Sequence, residues 1–204
     1  DQEAHHGVAT HSSGNHAQAL ALTAKIRGIQ ACIVMPKNAP KVKIDAVRGY
    51  GAEIRFCEPT MKGREETLEE VLETTGAHFI HSYDDYRIIA GQGTAALEIL
   101  EQTPELNILL VPVGGGGLIS GTAITISAKS PQTRVIGVEP EQADDAYQSF
   151  KTGLIAPSLN PQTIADGLRT SLGSHTFPII RELVDDIVTV SEKAILESLR
   201  LIWE

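Results

Sequence analysis

The sequence contains few cysteines, few aromatic residues and no long hydrophobic run. Its only cysteines among 204 residues, Cys32 and Cys57, lie in separate apolar segments without CxxC spacing, which argues against a disulfide framework or a zinc site. The longest apolar runs, such as residues 108–113, are far too short to span a bilayer. Because no signal-peptide pattern opens the sequence, we expect a cytoplasmic protein without membrane contact.

Positive charge is also scarce. Lysine and arginine number 17 against 26 aspartates and glutamates, so the formal net charge is -9. The basic residues are scattered, and we expect no binding to nucleic acid or to an anionic membrane. With 42% hydrophobic and 21% charged residues, the composition is that of a globular protein with one large domain or two small ones.

Strand and helix patterns alternate along the sequence. Helical spacing covers residues 15–27, where Ala19, Leu22 and Ile26 are predicted to share the buried face and Gly28 to end the helix. Such alternation is typical of right-handed βαβ units and parallel sheets. The sequence therefore predicts an α/β fold.

Two further patterns concern the sheet and the domain organisation. The continuous apolar run at 108–113 predicts a strand that is covered on both faces. We predict two lobes, residues 1–84 and residues 85–204. The last helical pattern starts near Ser191 and reaches Glu204 without a stop signal, so we expect a fragment of a longer protein.

Four consecutive glycines, Gly114 to Gly117, follow that apolar strand and open a helix. Consecutive glycine N–H groups at a helix N-terminus form an anion site suited to phosphate. A dinucleotide fingerprint is excluded because Ile119 and Ser120 stand where a third glycine is needed, and no Gly-Lys-Ser/Thr follows for a Walker A loop. The alternative is a tight turn that only allows close packing.

Two more loops lie at predicted strand ends, where parallel sheets bind ligands. Residues 11–16 read His-Ser-Ser-Gly-Asn-His, in which a serine either caps the next helix or addresses a small ligand. Residues 139–145 carry four carboxylates, which suit either the start of an acidic helix or a site for Mg²⁺ or Ca²⁺.

Taken together, the motifs resemble those of serine racemases and threonine dehydratases, in the same order and spacing. They are His11-Ser-Ser-Gly-Asn-His-Ala-Gln18, Gly91-Gln-Gly-Thr94, Val113-Gly-Gly-Gly-Gly-Leu118, Gly137-Val-Glu-Pro140 and Ile164-Ala-Asp-Gly167. The resemblance runs from about residue 8 to residue 204. It implies the pyridoxal-phosphate (PLP) fold type II, with three-layer parallel sheets, helices on both faces, and PLP between a smaller and a larger lobe.

The resemblance also implies roles for individual residues. Gly114, Gly115, Gly116 and Gly117 would hold the PLP phosphate. Asn15 would hydrogen-bond the ring hydroxyl, and Tyr83 would flank the ring. The loop Ser12, Ser13, Gly14, Asn15 and His16 would bind the carboxylate of an amino-acid substrate, serine or threonine.

Further implied roles concern a cation and a nucleotide. Glu139, the carbonyl of Ala143 and Asp145 match the family's divalent-cation site, for Mg²⁺ or Ca²⁺. Gln18 and Tyr50 match positions that contact ATP in animal serine racemases, which makes ATP a candidate effector. Family members are commonly dimers, so the resemblance implies a homodimer.

Ser13 separates the subclasses, because catabolic threonine dehydratases usually have alanine there. Bound PLP makes the substrate α-proton acidic. Dehydration needs one base and loss of the β-hydroxyl, whereas racemisation also needs an acid on the opposite face. We therefore predict a PLP-dependent serine racemase with serine/threonine dehydratase activity and Ser13 as the second acid/base. The alternatives are a threonine dehydratase only, or a phosphate- or nucleotide-binding module without catalysis.

One family element is missing from the sequence. PLP enzymes bind their cofactor as a Schiff base to a lysine, which this family carries in a Ser-Phe-Lys-x-Arg-Gly-like segment before the serine loop. No such segment is present, and five lysines lie in other contexts: Lys25, Lys37, Lys41, Lys43 and Lys62. We therefore expect the 204-residue chain itself to be inactive.

Overall fold

Residues 4–204 are described by the computed structural model, and they separate into two compact units. Unit 1 ends at Ser82 and unit 2 begins at Tyr83. The division falls two residues before the predicted lobe boundary at 84/85. The assignment of 1–84 as the small lobe and 85–204 as part of the PLP-binding lobe remains a prediction.

Unit 1 is a four-stranded parallel sheet with the strand order β3-β2-β1-β4. Its elements are β1 (Val8–His11), α1 (Asn15–Arg27), β2 (Ala31–Pro36), α2 (Lys41–Gly49), β3 (Glu53–Cys57), α3 (Met61–Thr75) and β4 (His78–Phe79). Strands and helices alternate throughout, which confirms the predicted α/β class.

Helices cover both faces of this sheet. On one face α1 and α2 pack around Ile33 and Met35, and on the other α3 places Leu68 and Val71 against the sheet. Both cysteines are buried free thiols on neighbouring strands. The register pairs Cys57 with Pro36 rather than with Cys32, so the two thiols do not lie opposite each other.

The predicted buried face of α1 was wrong. The helix has the predicted bounds, and Gly28 ends it in the left-handed conformation at φ 67°. However, Ile26 is 75% exposed, whereas Ala17, Ala21 and Ala24 are buried. These alanines recur with helical spacing, and their small side chains let the helix approach the sheet closely.

Unit 2 is built on a three-stranded parallel sheet with the order β5-β6-β7. Its elements are α4 (Tyr86–Gln102), β5 (Ile108–Pro112), α5 (Gly117–Lys129), β6 (Arg134–Pro140), α6 (Asp145–Thr152), α7 (Thr176–Leu183), β7 (Asp186–Val190) and α8 (Glu192–Trp203). A short 3-10 helix, Asp166–Leu168, precedes α7. Across residues 4–204, none of the helices has the length and hydrophobicity that a membrane crossing requires.

The core of unit 2 lies between the sheet and α5. Ile119, Ala123 and Ile126 of α5 are buried there, and α4 packs on α5 where Gly93 meets Gly121. A Cβ on Gly93 would lie 2.9 Å from the carbonyl oxygen of Gly121, so the two helices touch through their backbones. This contact gives the Gly91-Gln-Gly-Thr94 motif a packing role.

Residues 108–112 form the predicted strand β5, and within the described chain one of its faces packs against α5. β5 is an edge strand, and its side chains alternate between the core and solvent. Val111 is buried against α5, whereas Leu110 is 61% exposed.

A buried hydroxyl in β1 generates a stability prediction. Thr10 is fully buried, and its Oγ1 has no hydrogen-bond partner within the described chain. Thr10→Val keeps the side-chain shape and removes an unsatisfied polar atom, so we expect the free energy of unfolding to rise by about 1 kcal/mol. Chemical denaturation of both proteins measures the change.

Thr10→Ser is the matched control. It keeps the hydroxyl and removes the methyl group, so it should lower the free energy of unfolding by about 1 kcal/mol. A valine variant that is less stable than the wild type would show that the hydroxyl is satisfied.

Candidate functional site

The glycine loop, residues 114–117, connects the end of β5 to α5. Gly116 has a φ of 90°, a left-handed conformation that favours glycine. Throughout residues 4–204, no carbonyl or side chain accepts a hydrogen bond from the N–H groups of Gly114 to Gly117. Free N–H groups at a helix N-terminus are what an anion needs, so the loop is chemically suited to a phosphate.

Close neighbours fix the shape of the glycine loop. A Cβ on Gly114 would lie 2.9 Å from the carbonyl oxygen of Gly167, in the 3-10 helix. A Cβ on Gly115 would overlap the ring of Tyr83, and one on Gly116 would lie 2.9 Å from the Cβ of Thr176. Close packing and free N–H groups therefore occur together, so the packing alternative does not compete with the phosphate hypothesis.

Tyr83, which was predicted to flank the cofactor ring, covers the glycine loop within unit 2. Its ring lies over Gly115, and a Cβ on Gly117 would lie 2.9 Å from the Tyr83 Cβ. Burial, followed by the negative charges of Asp84 and Asp145, raises the pKa of the Tyr83 hydroxyl. The hydroxyl therefore stays protonated and neutral at physiological pH.

Asp84, which the sequence reasoning missed, lies next to Tyr83 and caps α7. Its carboxylate accepts hydrogen bonds from the N–H groups of Ser174 (2.9 Å), His175 (2.8 Å) and Thr176 (3.1 Å). Burial raises the pKa of Asp84, but hydrogen bonds from the backbone and side chain of His175, the backbone of Thr176 and the side chain of Ser174 outweigh it and hold the pKa below its usual range. No local pattern signals this role, because the partners lie 90 to 92 residues away.

The serine loop of unit 1, residues 12–16, runs from the end of β1 into the first turn of α1. Gly14 is the N-cap of α1, and no side chain makes a capping hydrogen bond there. The Ser12 Oγ instead accepts a long bond from the N–H of Gly14, at 3.4 Å. The capping alternative is therefore wrong for both serines, and the half-buried hydroxyl of Ser13 is not committed to the helix.

The remaining predicted residues of unit 1 lie around α1. Asn15 is exposed at the first position of the helix, and Gln18 is half-buried one turn later. Burial lowers the pKa of His16 despite a hydrogen bond to the backbone of Ile80, so the ring is neutral at pH 7. Tyr50 packs against the core beside α1 and α2, which gives it a structural role independent of ATP.

Glu139, at the end of β6, is fully buried and faces the start of α6. Its carboxylate accepts hydrogen bonds from the N–H groups of Ala146 (3.1 Å) and Tyr147 (2.7 Å). Burial nevertheless raises the pKa of Glu139 to about 8, since these bonds lower it only in part. Residues 139–145 therefore contain a buried carboxylate and are not only the solvent-exposed start of an acidic helix.

Asp145 is 4% exposed, and neither carboxylate oxygen has a hydrogen-bond partner of ordinary geometry in the described chain. Burial raises its pKa to about 6, although the nearby Ser158 hydroxyl lowers it. Asp145 is one of the residues that line a cavity of about 190 Å³ between residues 142–148 and residues 156–161. An unsatisfied buried carboxylate is costly unless a proton or a cation neutralises it.

The oxygens of Glu139, Ala143 and Asp145 are of the types that bind hard cations. Two carboxylates and the carbonyl of Ala143, which accepts no hydrogen bond from residues 4–204, are the ligand types that Mg²⁺ and Ca²⁺ prefer. Within residues 4–204, no three His, Cys, Asp or Glu side chains form a metal-binding group. The predicted cation site has only two such side chains, Glu139 and Asp145, because its third ligand is the backbone carbonyl of Ala143.

No lysine of unit 2 lies at the glycine loop. Lys129 is at the opposite end of α5, about 18 Å away at the helical rise of 1.5 Å per residue. The Nζ of Lys151 lies 3.1 Å from Asp186, and that of Lys193 lies 3.7 Å from Glu197. Within unit 2, therefore, no lysine amine lies beside the glycine loop.

Comparison with known proteins identifies the family. The profile of the family described as "Pyridoxal-phosphate dependent enzyme" matches residues 1–204. A serine racemase of Arabidopsis thaliana is 52% identical over 203 residues, covering 100% of this chain and 61% of the relative. A beta-hydroxyaspartate dehydratase of Paracoccus denitrificans (strain Pd 1222) is 50% identical over 204 residues, covering 100% of this chain and 65% of the relative.

A solved structure agrees with the sequence relatives. Maize serine racemase superposes with a TM-score of 0.98 at 46% identity, covering 100% of this chain and 62% of that one. The chain therefore belongs to the pyridoxal-phosphate-dependent enzyme family, in the racemase and dehydratase branch with fold type II. It spans 61% to 65% of the length of these relatives.

Proposed function

We propose that this chain is part of a PLP-dependent serine racemase that also dehydrates serine or threonine. The observation that carries the proposal is the glycine loop, whose four N–H groups are free within the described chain and whose shape is fixed by Tyr83, Gly167 and Thr176. Names of relatives supply the two reaction types, racemase and dehydratase. The identity of the substrate, serine, is the most specific part of the proposal.

In this proposal the N–H groups of residues 114–117 hold the PLP phosphate. The neutral ring of Tyr83 shields the phosphate end of the cofactor from water. Asn15 forms a hydrogen bond with the ring hydroxyl of the cofactor. When bound, PLP withdraws electrons from the substrate and makes its α-proton acidic. The protein's own residues then determine where that proton goes.

Ser13 is the proposed acid/base on the second face, and Ser12 to His16 form the carboxylate-binding loop. The Ser13 hydroxyl is suited to this role because it does not cap α1. A hydroxyaspartate substrate would bring a second carboxylate, which a lysine or arginine would best balance. The loop contains neither, and His16 is neutral, so the loop favours serine or threonine.

The cation site proposed from the resemblance consists of Glu139, the Ala143 carbonyl and Asp145. A bound Mg²⁺ or Ca²⁺ would neutralise the buried Asp145 carboxylate and tie the end of β6 to the start of α6. ATP contact at Gln18 and Tyr50, a homodimer and a cytoplasmic location are further parts of the proposal. A threonine dehydratase or a phosphate-binding module without catalysis is the alternative.

The first prediction concerns the phosphate cradle. Pyridoxine 5′-phosphate, which has no aldehyde to react with surface lysines, should bind the 204-residue chain at least about tenfold more tightly than pyridoxine, in isothermal titration. Gly115→Ala places a Cβ in the ring of Tyr83 and should weaken this binding by about tenfold or more.

Gly91→Ala is the control, because a Cβ there meets open space on α4. It should leave the affinity unchanged and stabilise the chain by about 0.5–1 kcal/mol. We also expect no stoichiometric lysine adduct after borohydride reduction in the presence of PLP. Equal binding of pyridoxine and its phosphate would contradict the cradle, and a single fully labelled lysine would contradict the missing Schiff base.

A second prediction concerns Ser13 in any active protein that carries this chain. With L-serine as substrate, Ser13→Ala should abolish D-serine formation, because the second-face proton donor is gone, while pyruvate formation persists. Chiral chromatography and a pyruvate assay on the same reaction measure both products. Unchanged D-serine output would remove Ser13 from the mechanism, and equal loss of both products would point to a binding role.

A third prediction concerns the cation site. Isothermal titration with Mg²⁺ and Ca²⁺ should give one site per chain, and Asp145→Asn should weaken binding by about tenfold or more because a charged ligand is lost. Asp144→Asn is the matched control. The Asp144 carboxylate accepts a hydrogen bond from the Gln148 side chain at 2.8 Å and is not one of the proposed cation ligands. Identical affinities for the wild type and Asp145→Asn would contradict the site.

A further inference from the structure

Asp84 connects two segments that enclose the glycine loop. Besides the three N–H groups at the start of α7, its carboxylate accepts the Ser174 hydroxyl at 3.0 Å, and the His175 Nδ1 lies 3.3 Å from it. α7 has no capping side chain of its own at His175. Asp84 therefore provides the cap of α7 from a position far away in the sequence.

The first residue of that helix contacts the glycine loop. Thr176 is fully buried, and its hydroxyl donates to the carbonyl of Gly115 at 2.8 Å and accepts from the N–H of Gly173 at 2.9 Å. The Ser120 hydroxyl, one turn into α5, donates to the Thr176 carbonyl at 3.3 Å. The start of α7 is thereby joined to the loop and to the helix that follows it.

Tyr83 closes the arrangement on the other side. Its ring and backbone lie against Gly115 and Gly117, and the next residue along the chain is Asp84. Tyr83, Asp84, Thr176 and Gly115 thus form a closed ring of covalent, hydrogen-bonded and packing contacts. Gly173 leaves the space that the Asp84 carboxylate fills, since a Cβ on Gly173 would overlap that carboxylate.

We propose that Asp84 is a positioning residue that keeps the N–H groups of the glycine loop aimed at a bound phosphate. This inference rests on the proposed function, because it assumes that the loop binds the phosphate of PLP. Three converging N–H donors hold the carboxylate as an anion, so its negative charge is compensated locally. Without the carboxylate, the start of α7 and the segment that carries Tyr83 lose their common anchor.

The test compares Asp84→Asn with Asp85→Asn. Both variants remove one carboxylate, at adjacent positions, and both remove a helix cap, because Asp85 accepts from the N–H of Arg87 at 2.7 Å at the start of α4. Their long-range electrostatic effect on an anion is therefore closely matched, but only Asp84 contacts the residues around the glycine loop.

Affinity for pyridoxine 5′-phosphate is measured by isothermal titration, well below the unfolding midpoint of each variant. Asp84→Asn should weaken binding by about tenfold, which corresponds to about 1.4 kcal/mol, whereas Asp85→Asn should stay within about twofold of the wild type. Gly173→Ala places a Cβ on the Asp84 carboxylate and should reproduce the loss if Asp84→Asn does not fold.

The outcomes separate the inference from the proposed function. If the wild-type chain does not bind pyridoxine 5′-phosphate, the proposed phosphate site is wrong and the inference falls with it. If the wild type binds and Asp84→Asn and Gly173→Ala bind equally well, the positioning role is overturned while the phosphate site stands. Equal weakening by Asp84→Asn and Asp85→Asn would also overturn it, because the effect would then be one of charge.

Discussion

The shape of the glycine loop depends on the space that its missing side chains leave free. Gly167 approaches the first glycine, Tyr83 covers the second and fourth, and Thr176 lies against the third. In a close-packed interior, a side chain at any of these positions would displace a neighbour rather than fill a void. Packing thus fixes the loop while its own N–H groups stay unused within residues 4–204, which leaves them available to an anion.

Local sequence signals were enough to predict the elements and the loops at their ends. The helix Asn15–Arg27 has the predicted bounds, because a glycine in the left-handed conformation ends it, and an aspartate caps Tyr86–Gln102. Ser191 likewise caps the last helix, accepting from the N–H of Ala194 at 3.2 Å. Strand and helix periods depend on neighbouring residues, so the α/β class follows from the sequence alone.

What the sequence did not predict depends on contacts between distant residues. The apolar residues of α1 allow more than one buried face, and only packing against the sheet selects the alanines over Ile26. The exposed side of β5 depends on which elements pack beside it. Asp84 carries no local signal of its role, because its three backbone partners follow about 90 residues later. Hydrogen bonds of this separation leave no periodic or motif signal in a single sequence.

Holding the cofactor and making it react require different kinds of chemical group in a PLP enzyme. The cradle consists of backbone N–H groups, so it needs glycines and well-placed neighbours but no reactive side chain. Reactivity needs an amine for the Schiff base and groups that move protons, which is the role proposed for the Ser13 hydroxyl. Unit 2 contains the glycine loop that is proposed to hold the phosphate, whereas its lysines lie at the far end of α5 or in ion pairs on α6 and α8. The groups that retain the cofactor thus differ from the groups that react. High similarity along the whole chain establishes the family, whereas the reaction depends on a few side chains.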